Sequence, residues 1–110
     1  MQVQAITKNV RMSAQKMREM VRQIQGLPAL QAQAVLAVVS RKSARVVAKT
    51  LKSAIANAEN NNGAKIESLR VKSAVAGQAT TIKRFTPKAR GSAGPILKRS
   101  CHVKIVVTDE

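Results

Sequence analysis

The chain has no Trp and no Tyr, and Phe85 is its single aromatic residue. Modules that read single-stranded bases stack them on aromatic rings, so an RRM-like or OB-like base reader is not expected. Acid is nearly as scarce. Glu19, Glu59, Glu67, Asp109 and Glu110 are the five carboxylates against 20 Lys and Arg, spread singly or at the terminus, which leaves no paired-carboxylate site for general acid/base chemistry. With one Cys, Cys101, an intrachain disulfide cannot form, and Cys101 beside His102 lacks the spaced ligands of a zinc site. Cys101 therefore reads as a strand residue, and no metal or other cofactor is expected. No apolar run approaches the ~20 residues of a spanning helix, so membrane insertion is not expected. The opening Met1-Gln2-Val3-Gln4 has neither the basic nor the apolar part of a secretory signal, and a cytoplasmic location is expected.

What the chain does have is positive charge and small aliphatic side chains. Its 110 residues make one domain of ordinary size, 1–110, with room for a single modest core. Hydrophobic residues make up 45% of it, too many for a disordered basic tail. The core must be aliphatic and small, because the chain carries 17 Ala and 13 Val. A net charge of +15 repels itself unless an anionic surface neutralises it, and nucleic acid is the default partner. Without stacking rings, recognition would fall on phosphates and shape. The sign asymmetry is strongest from Ser68 to Thr108, 41 residues without a carboxylate that hold nine of the 20 cations and the single His, His102.

Periodicity predicts three helices. A short strand at Gln2 to Ile6 precedes Ser13, which is placed as an N-cap because Met17, Met20, Val21 and Ile24 follow at helical spacing. Gly26 ends this helix of about Ala14 to Gln25. Pro28 opens a second, ending near Ser40; being apolar on most sides, it is expected to be well buried. In the third, Ala44, Val47, Ala48, Leu51, Ile55 and Ala58 fall within an arc of about 100°, and Lys42, Arg45, Lys49 and Lys52 within a separate arc of about 80°. No acid lies between Arg22 and Ala58, so these cations have no i,i+4 partners on their own helix. A solvated face is the bland reading of such a run; the missing acids count against it. Asn60-Asn61-Asn62-Gly63 ends the helix.

Leu69, Val71 and Ala74 or Val75, and later Val103, Ile105 and Val107, alternate with polar neighbours and predict two strands, Ser68 to Val75 and His102 to Thr108, able to pair antiparallel. The span between them is long for a loop in a compact domain. It is either a disordered insertion or a two-stranded arm turning around Arg90 to Gly94. Pro87 and Pro95 are tolerable in a ribbon with free edges, and the arm is the favoured reading. With about ten residues per side it would reach ~30 Å. Phe85 lies on it beyond reach of the domain core, in contact with RNA or another chain, or packed across the ribbon.

Three short motifs have bland explanations. Ser13-Ala14-Gln15-Lys16 matches S-x-x-K, but the companion S-D-N and K-T-G motifs are missing and Ser13 already serves as a cap. Gly91-Ser92-Ala93-Gly94 matches GXXG, which must join two helices rather than two strands. Met12, Met17 and Met20 read as packing.

Across the whole chain the order and spacing of three blocks resemble the bacterial ribosomal protein L-twenty-two family. These are Arg11, Ser13, Ala14, Lys16 and Arg18; Ser53-Ala54-Ile55-Ala56-Asn57-Ala58-Glu59-Asn60; and Lys83-Arg84 through Ile96-Leu97-Lys98-Arg99-Ser100 to His102-Val103-Lys104-Ile105. The resemblance implies an α+β fold, three helices on a small three-stranded antiparallel sheet, with a long protruding hairpin at 77–101. It implies a non-enzymatic constituent of the large ribosomal subunit that binds large-subunit rRNA, assists assembly, and lines the nascent-polypeptide exit tunnel with its hairpin. Neighbouring large-subunit proteins and the passing nascent chain would be the other partners, and no homo-oligomer is expected.

By position, Arg11, Ser13, Lys16 and Arg18 correspond to the family's N-terminal rRNA contacts, with Lys8 beside them. Lys83, Arg84, Lys98 and Arg99 would add contacts on the hairpin, and Lys42, Arg45, Lys49 and Lys52 join them from the basic helix face. Phe85, Pro87, Lys88, Arg90, Gly91, Ser92 and Gly94 would line the tunnel. The tip departs from the more basic Arg-Ala-x-Gly-Arg-Ala-type turn of the family. Lys88 offers a point charge where Arg offers a fork, and Ser92 offers none. The rival is an architectural DNA-binding protein whose arm wedges Pro87 or Pro95 into a minor groove.

Overall fold

The structure, a computed structural model, describes residues 2–87, 91 and 93–109, with 83–87 and 93–96 described by backbone alone. Strand β1 (Gln2–Val10) leads into helices α1 (Ala14–Ile24), α2 (Ala29–Val38) and α3 (Lys42–Asn62). A short 3-10 turn (Ile66–Ser68) precedes β2 (Arg70–Gln78), the ribbon strands β3 (Ile82–Pro87) and β4 (Ala93–Lys98), and finally β5 (Cys101–Thr108). The α+β expectation holds: β1, β5 and β2 form an antiparallel sheet in that order, with β5 central, and β3 pairs antiparallel with β4.

Period-two alternation puts Cys101, Val103, Ile105 and Val107 of β5 on the face toward the helices, all fully buried. Ala5 of β1 and Val71, Ala74 and Ala76 of β2 extend that face. Onto it pack Met17, Met20, Val21 and Ile24 of α1 and Ala44, Val47, Leu51, Ala54, Ile55 and Ala58 of α3. Small residues, Ser43, Ala44, Ala54 and Ala58, make up half of the buried side of α3 and let its backbone approach the sheet closely, and the longer Met, Leu and Ile side chains fill what remains. A pair of hydroxyls also meets across this layer. Thr50 Oγ1 donates to the Val46 carbonyl at 2.9 Å, so at the 2.6 Å contact between the two hydroxyls Thr7 must donate to Thr50, tying β1 to α3.

Helix ends follow local chemistry. The Lys16 amide donates to Ser13 Oγ at 3.4 Å, making Ser13 the N-cap of α1 as its position implies. Gly63 closes α3 in the left-handed region at φ 66°, where its amide donates to the Glu59 carbonyl. The α1–α2 turn is stapled along β2: the Gly26 amide donates to Val71 C=O, the Val71 amide to Leu27 C=O, and the Ala29 amide to Leu69 C=O. This turn covers the start of an edge that would otherwise offer free backbone groups.

Helix α2 departs from expectation. Ala29, Ala32 and Leu36 are buried, but Leu30 is 49% and Val38 83% exposed. A run that is apolar on most sides carries little periodic signal of which side is inward; the fold uses one stripe and leaves the rest to solvent. Strand β1 runs four residues past its expected end. It continues through an irregularity between Thr7 and Val10, where Asn9 takes φ 58° and its amide donates to His102 Nδ1 at 3.1 Å.

The ribbon is what makes the molecule long. Its extents are 63 × 25 × 17 Å and its radius of gyration is 17.0 Å, against ~13 Å for a compact chain of this size. Each ribbon strand has six residues, so the regular ladder spans about 20 Å rather than ~30 Å. Gly94 pairs with Thr86 and Pro95 with Phe85, so Gly94 belongs to the ladder and not to the turn. Gly91 has φ 75°; Arg90 and Ser92 of the expected turn lie outside the described residues.

Candidate nucleic-acid interface

Burial of one arc of α3 dictates what the other arc presents. With Val47, Leu51 and Ile55 against the sheet, Arg45, Lys49 and Lys52 stand exposed on the opposite side. Their side chains make no hydrogen bond or ion pair among the described residues. Lys42, one turn earlier, is also exposed, but its Nζ donates to the Arg11 carbonyl at 3.2 Å. The expected basic face is therefore present; none of its four cations is paired with a carboxylate among the described residues, and three of the four make no side-chain bond there.

A second basic surface forms where the N-terminus of α1 meets the root of the ribbon. Two adjoining concavities lie there, of about 360 and 440 Å³, and they share Ser13, Leu97 and Arg99. Arg18, Gln78 and Thr81 line the first, and Arg11, Lys16 and Lys42 the second. Five cations thus converge with no carboxylate in either lining. The first turn of α1 holds no acid, so the positive end of the helix adds to this field. Chemically, the surface suits a polyanion backbone: positive, concave, and without stacking rings.

The structure brings Arg11, Ser13, Lys16, Arg18, Lys42 and Arg99 together around these concavities. Lys8 is exposed in the irregular part of β1, and Lys98 is exposed opposite Ile82. Backbone register sets Lys83 opposite Leu97, Arg84 opposite Ile96 and Pro87 opposite Ala93. Lys88, Arg90 and Ser92 lie outside the described residues.

Besides Lys42, two of these residues have internal roles that residue type did not reveal. Arg11 Nη1 donates to the Arg99 carbonyl at 2.6 Å, and Arg18 Nε to the Ala76 carbonyl at 3.1 Å. Sequence reasoning also passed over Arg41, which pairs with Glu19 at 3.3 Å across two exposed side chains. A cation on α3's threshold and an acid on α1 carry no local spacing signal, so this pairing had no signature to find.

Nothing in the geometry supports catalysis at the S-x-x-K motif. Ser13 Oγ accepts from the Lys16 backbone amide, while the Lys16 ammonium makes no bond to it among the described residues. Nor do the described residues contain a group of three or more His, Cys, Asp and Glu able to hold a metal. Cys101 is buried in β5, and that burial raises its thiol pKa above the ordinary value. No described helix is long and apolar enough to cross a membrane.

A protein of Opitutus terrae described as large ribosomal subunit protein uL22 is 52% identical over 109 residues, covering 99% of this chain and 96% of the relative. Another of that description, from Akkermansia muciniphila, is 44% identical over 110 residues, covering 100% and 98%. The model of the family described as ribosomal protein L22p/L17e matches residues 5–108, so that most of β1, all three helices, β2, the ribbon and β5 fall within one match, and the chain belongs to that family.

Proposed function

We propose that this chain is a non-enzymatic structural constituent of the large ribosomal subunit, working in the cytoplasm, that holds large-subunit rRNA on two basic surfaces and lines the nascent-polypeptide exit tunnel with its ribbon. Family membership supports the place in the large subunit. The observation that carries the rRNA reading is the unspent charge: Arg45, Lys49 and Lys52 face outward without partners, and five cations line the carboxylate-free concavities beside α1. Lysine and arginine so placed displace counterions from closely spaced phosphates, and shape rather than base identity is what they read. The ribbon, carrying Lys83, Arg84, Phe85, Pro87, Lys98 and, beyond it, Arg99, takes the chain between RNA segments that the helical body cannot touch. Around its tip, Lys88, Arg90, Gly91, Ser92 and Gly94 would face the passing peptide.

Two measurements test this reading. The protein should cosediment with large subunits through a high-salt wash and should prefer large-subunit rRNA over duplex DNA in competition at fixed salt. A photocrosslinker at Ala93 should capture tunnel rRNA or a stalled nascent chain. Wash-off in salt with equal binding to DNA would reduce the protein to a merely adhesive basic domain, and crosslinks confined to the subunit surface would remove the tunnel assignment.

A further inference from the structure

The junction between sheet and ribbon is irregular, and the body reaches out to hold both of its sides. Gln78 pairs with Cys101 and Ile82 with Lys98, so three residues, Ala79 to Thr81, stand against two, Arg99 and Ser100. An unequal count interrupts the ladder and bends the strands. The Ala79 amide donating to Ser100 C=O at 3.0 Å bridges the gap. A two-stranded ribbon has little core of its own, so its direction is set by whatever fixes this junction.

Arg18 comes from α1, whose neighbours Met17, Met20 and Val21 are sunk in the core, and its Nε grips Ala76 C=O on the outgoing strand. Arg11 grips Arg99 C=O on the returning side, and its own carbonyl is held by Lys42 of α3. Arg11 therefore holds the bend itself at Arg99, while Arg18, from a different part of the body, holds the end of β2 at Ala76, three residues before the bend begins. Both use carbonyls as acceptors rather than carboxylates, so neither charge is cancelled, and a planar guanidinium has further N–H groups to offer a phosphate.

We propose that Arg11 and Arg18 are positioning residues that brace the ribbon at one angle to the helical body before any RNA is bound. The brace rests on the proposed function only for its purpose, since an arm that must enter a confined channel gains from a preset direction. Its existence can be measured on the protein alone.

The test is pulsed electron paramagnetic resonance on the full chain without RNA, with nitroxides at Gln31→Cys on α2 and Ala93→Cys on β4, in a Cys101→Ala background. The parent should give a narrow interspin distance distribution. Arg11→Ala with Arg18→Ala should lose that narrow peak while helical circular dichroism is retained. Lys49→Ala with Lys52→Ala removes the same charge from a face that makes no bond to the junction, and should leave the peak intact. Arg18→Ala alone provides the reading if the double variant does not fold, and should broaden the peak in part. A brace variant indistinguishable from the parent overturns the proposal, as does equal broadening by the Lys49 and Lys52 pair. Either result leaves the rRNA reading standing, and failure to bind rRNA would leave the distance result untouched.

Discussion

Neutralising the outer face of α3 gives the sharpest test of where RNA sits. Arg45, Lys49 and Lys52 are exposed, make no internal side-chain bond among the described residues, and back onto a buried arc that fixes their direction. Arg45→Ala, Lys49→Ala and Lys52→Ala together remove three charges without touching the core, and Ala keeps the helix at least as stable as before. If each cation meets a phosphate, each contributes roughly 0.7 to 0.9 to the slope of log affinity against log salt, so the slope should fall by about 2 to 3. Carried from 1 M to 0.1 M salt, the same term predicts a loss of roughly one hundred- to five-hundred-fold in affinity. Arg41 provides an internal control, because Glu19 at 3.3 Å already offsets its charge locally. Arg41→Ala should change the slope by clearly less than any one of the three. The assay is fluorescence anisotropy of labelled protein titrated with large-subunit rRNA at several salt concentrations, with circular dichroism to show that α3 is intact. A folded triple variant with the parent's slope and affinity would refute the assignment of this face, since loss of three phosphate contacts cannot leave counterion release unchanged.

Further expectations concern the body. Replacing Ile82 to Leu97 by a short turn should leave helical circular dichroism and a cooperative melt in place, because no described residue of that span belongs to the buried core; loss of the transition would show that the body depends on the ribbon. Gly63→Ala should cost about 1–2 kcal/mol in urea unfolding, all of it from the left-handed backbone at φ 66°, since an added Cβ would meet nothing within 4 Å. The buried Cys101 thiol has a raised pKa in the folded state, so its contribution is intact below the ordinary thiol range and is lost as pH rises above it. Urea midpoints from neutral to alkaline pH should therefore fall more steeply in the parent than in Cys101→Ala, and parallel curves would contradict a folded thiol that resists ionisation.

Where one physical signal dominates, the sequence reads directly into structure. The Ser13 cap, the two arcs of α3, the Gly63 terminus and the alternation of Val103, Ile105 and Val107 each follow from spacing alone, and each stands in the fold. The unsigned segments were illegible. Helix α2 is apolar on most sides, so the packing of Ala29, Ala32 and Leu36 against the body decides which stripe is hidden. The bonds of Arg11 to Arg99 and of Arg18 to Ala76 span 88 and 58 residues, and their acceptors are backbone carbonyls, which no residue type advertises. Cations were legible as a population, therefore, but not in their division between those that hold the protein together and those left for a partner.

The two ribbon prolines, each tolerable alone, together select a register. Proline has no N–H, so the pairs Phe85↔Pro95 and Pro87↔Ala93 must both be non-hydrogen-bonded pairs of the antiparallel ladder. These classes alternate along the strands. In the observed register the two pairs are two residues apart, and both prolines avoid the ladder at once. Slip one strand by a single residue and their pairs fall on opposite classes, so one proline must occupy a hydrogen-bonded site and forfeit a bond. A two-stranded ribbon has little core of its own to enforce register, and the prolines supply that constraint instead. In a Cys101→Ala background, cysteines at Lys83 and Leu97 should form a disulfide readily, while cysteines at Lys83 and Lys98 should not. Adding Pro87→Ala and Pro95→Ala should raise crosslinking of the second pair. If that pair already crosslinks as fast as the first with both prolines in place, the register is not theirs to set.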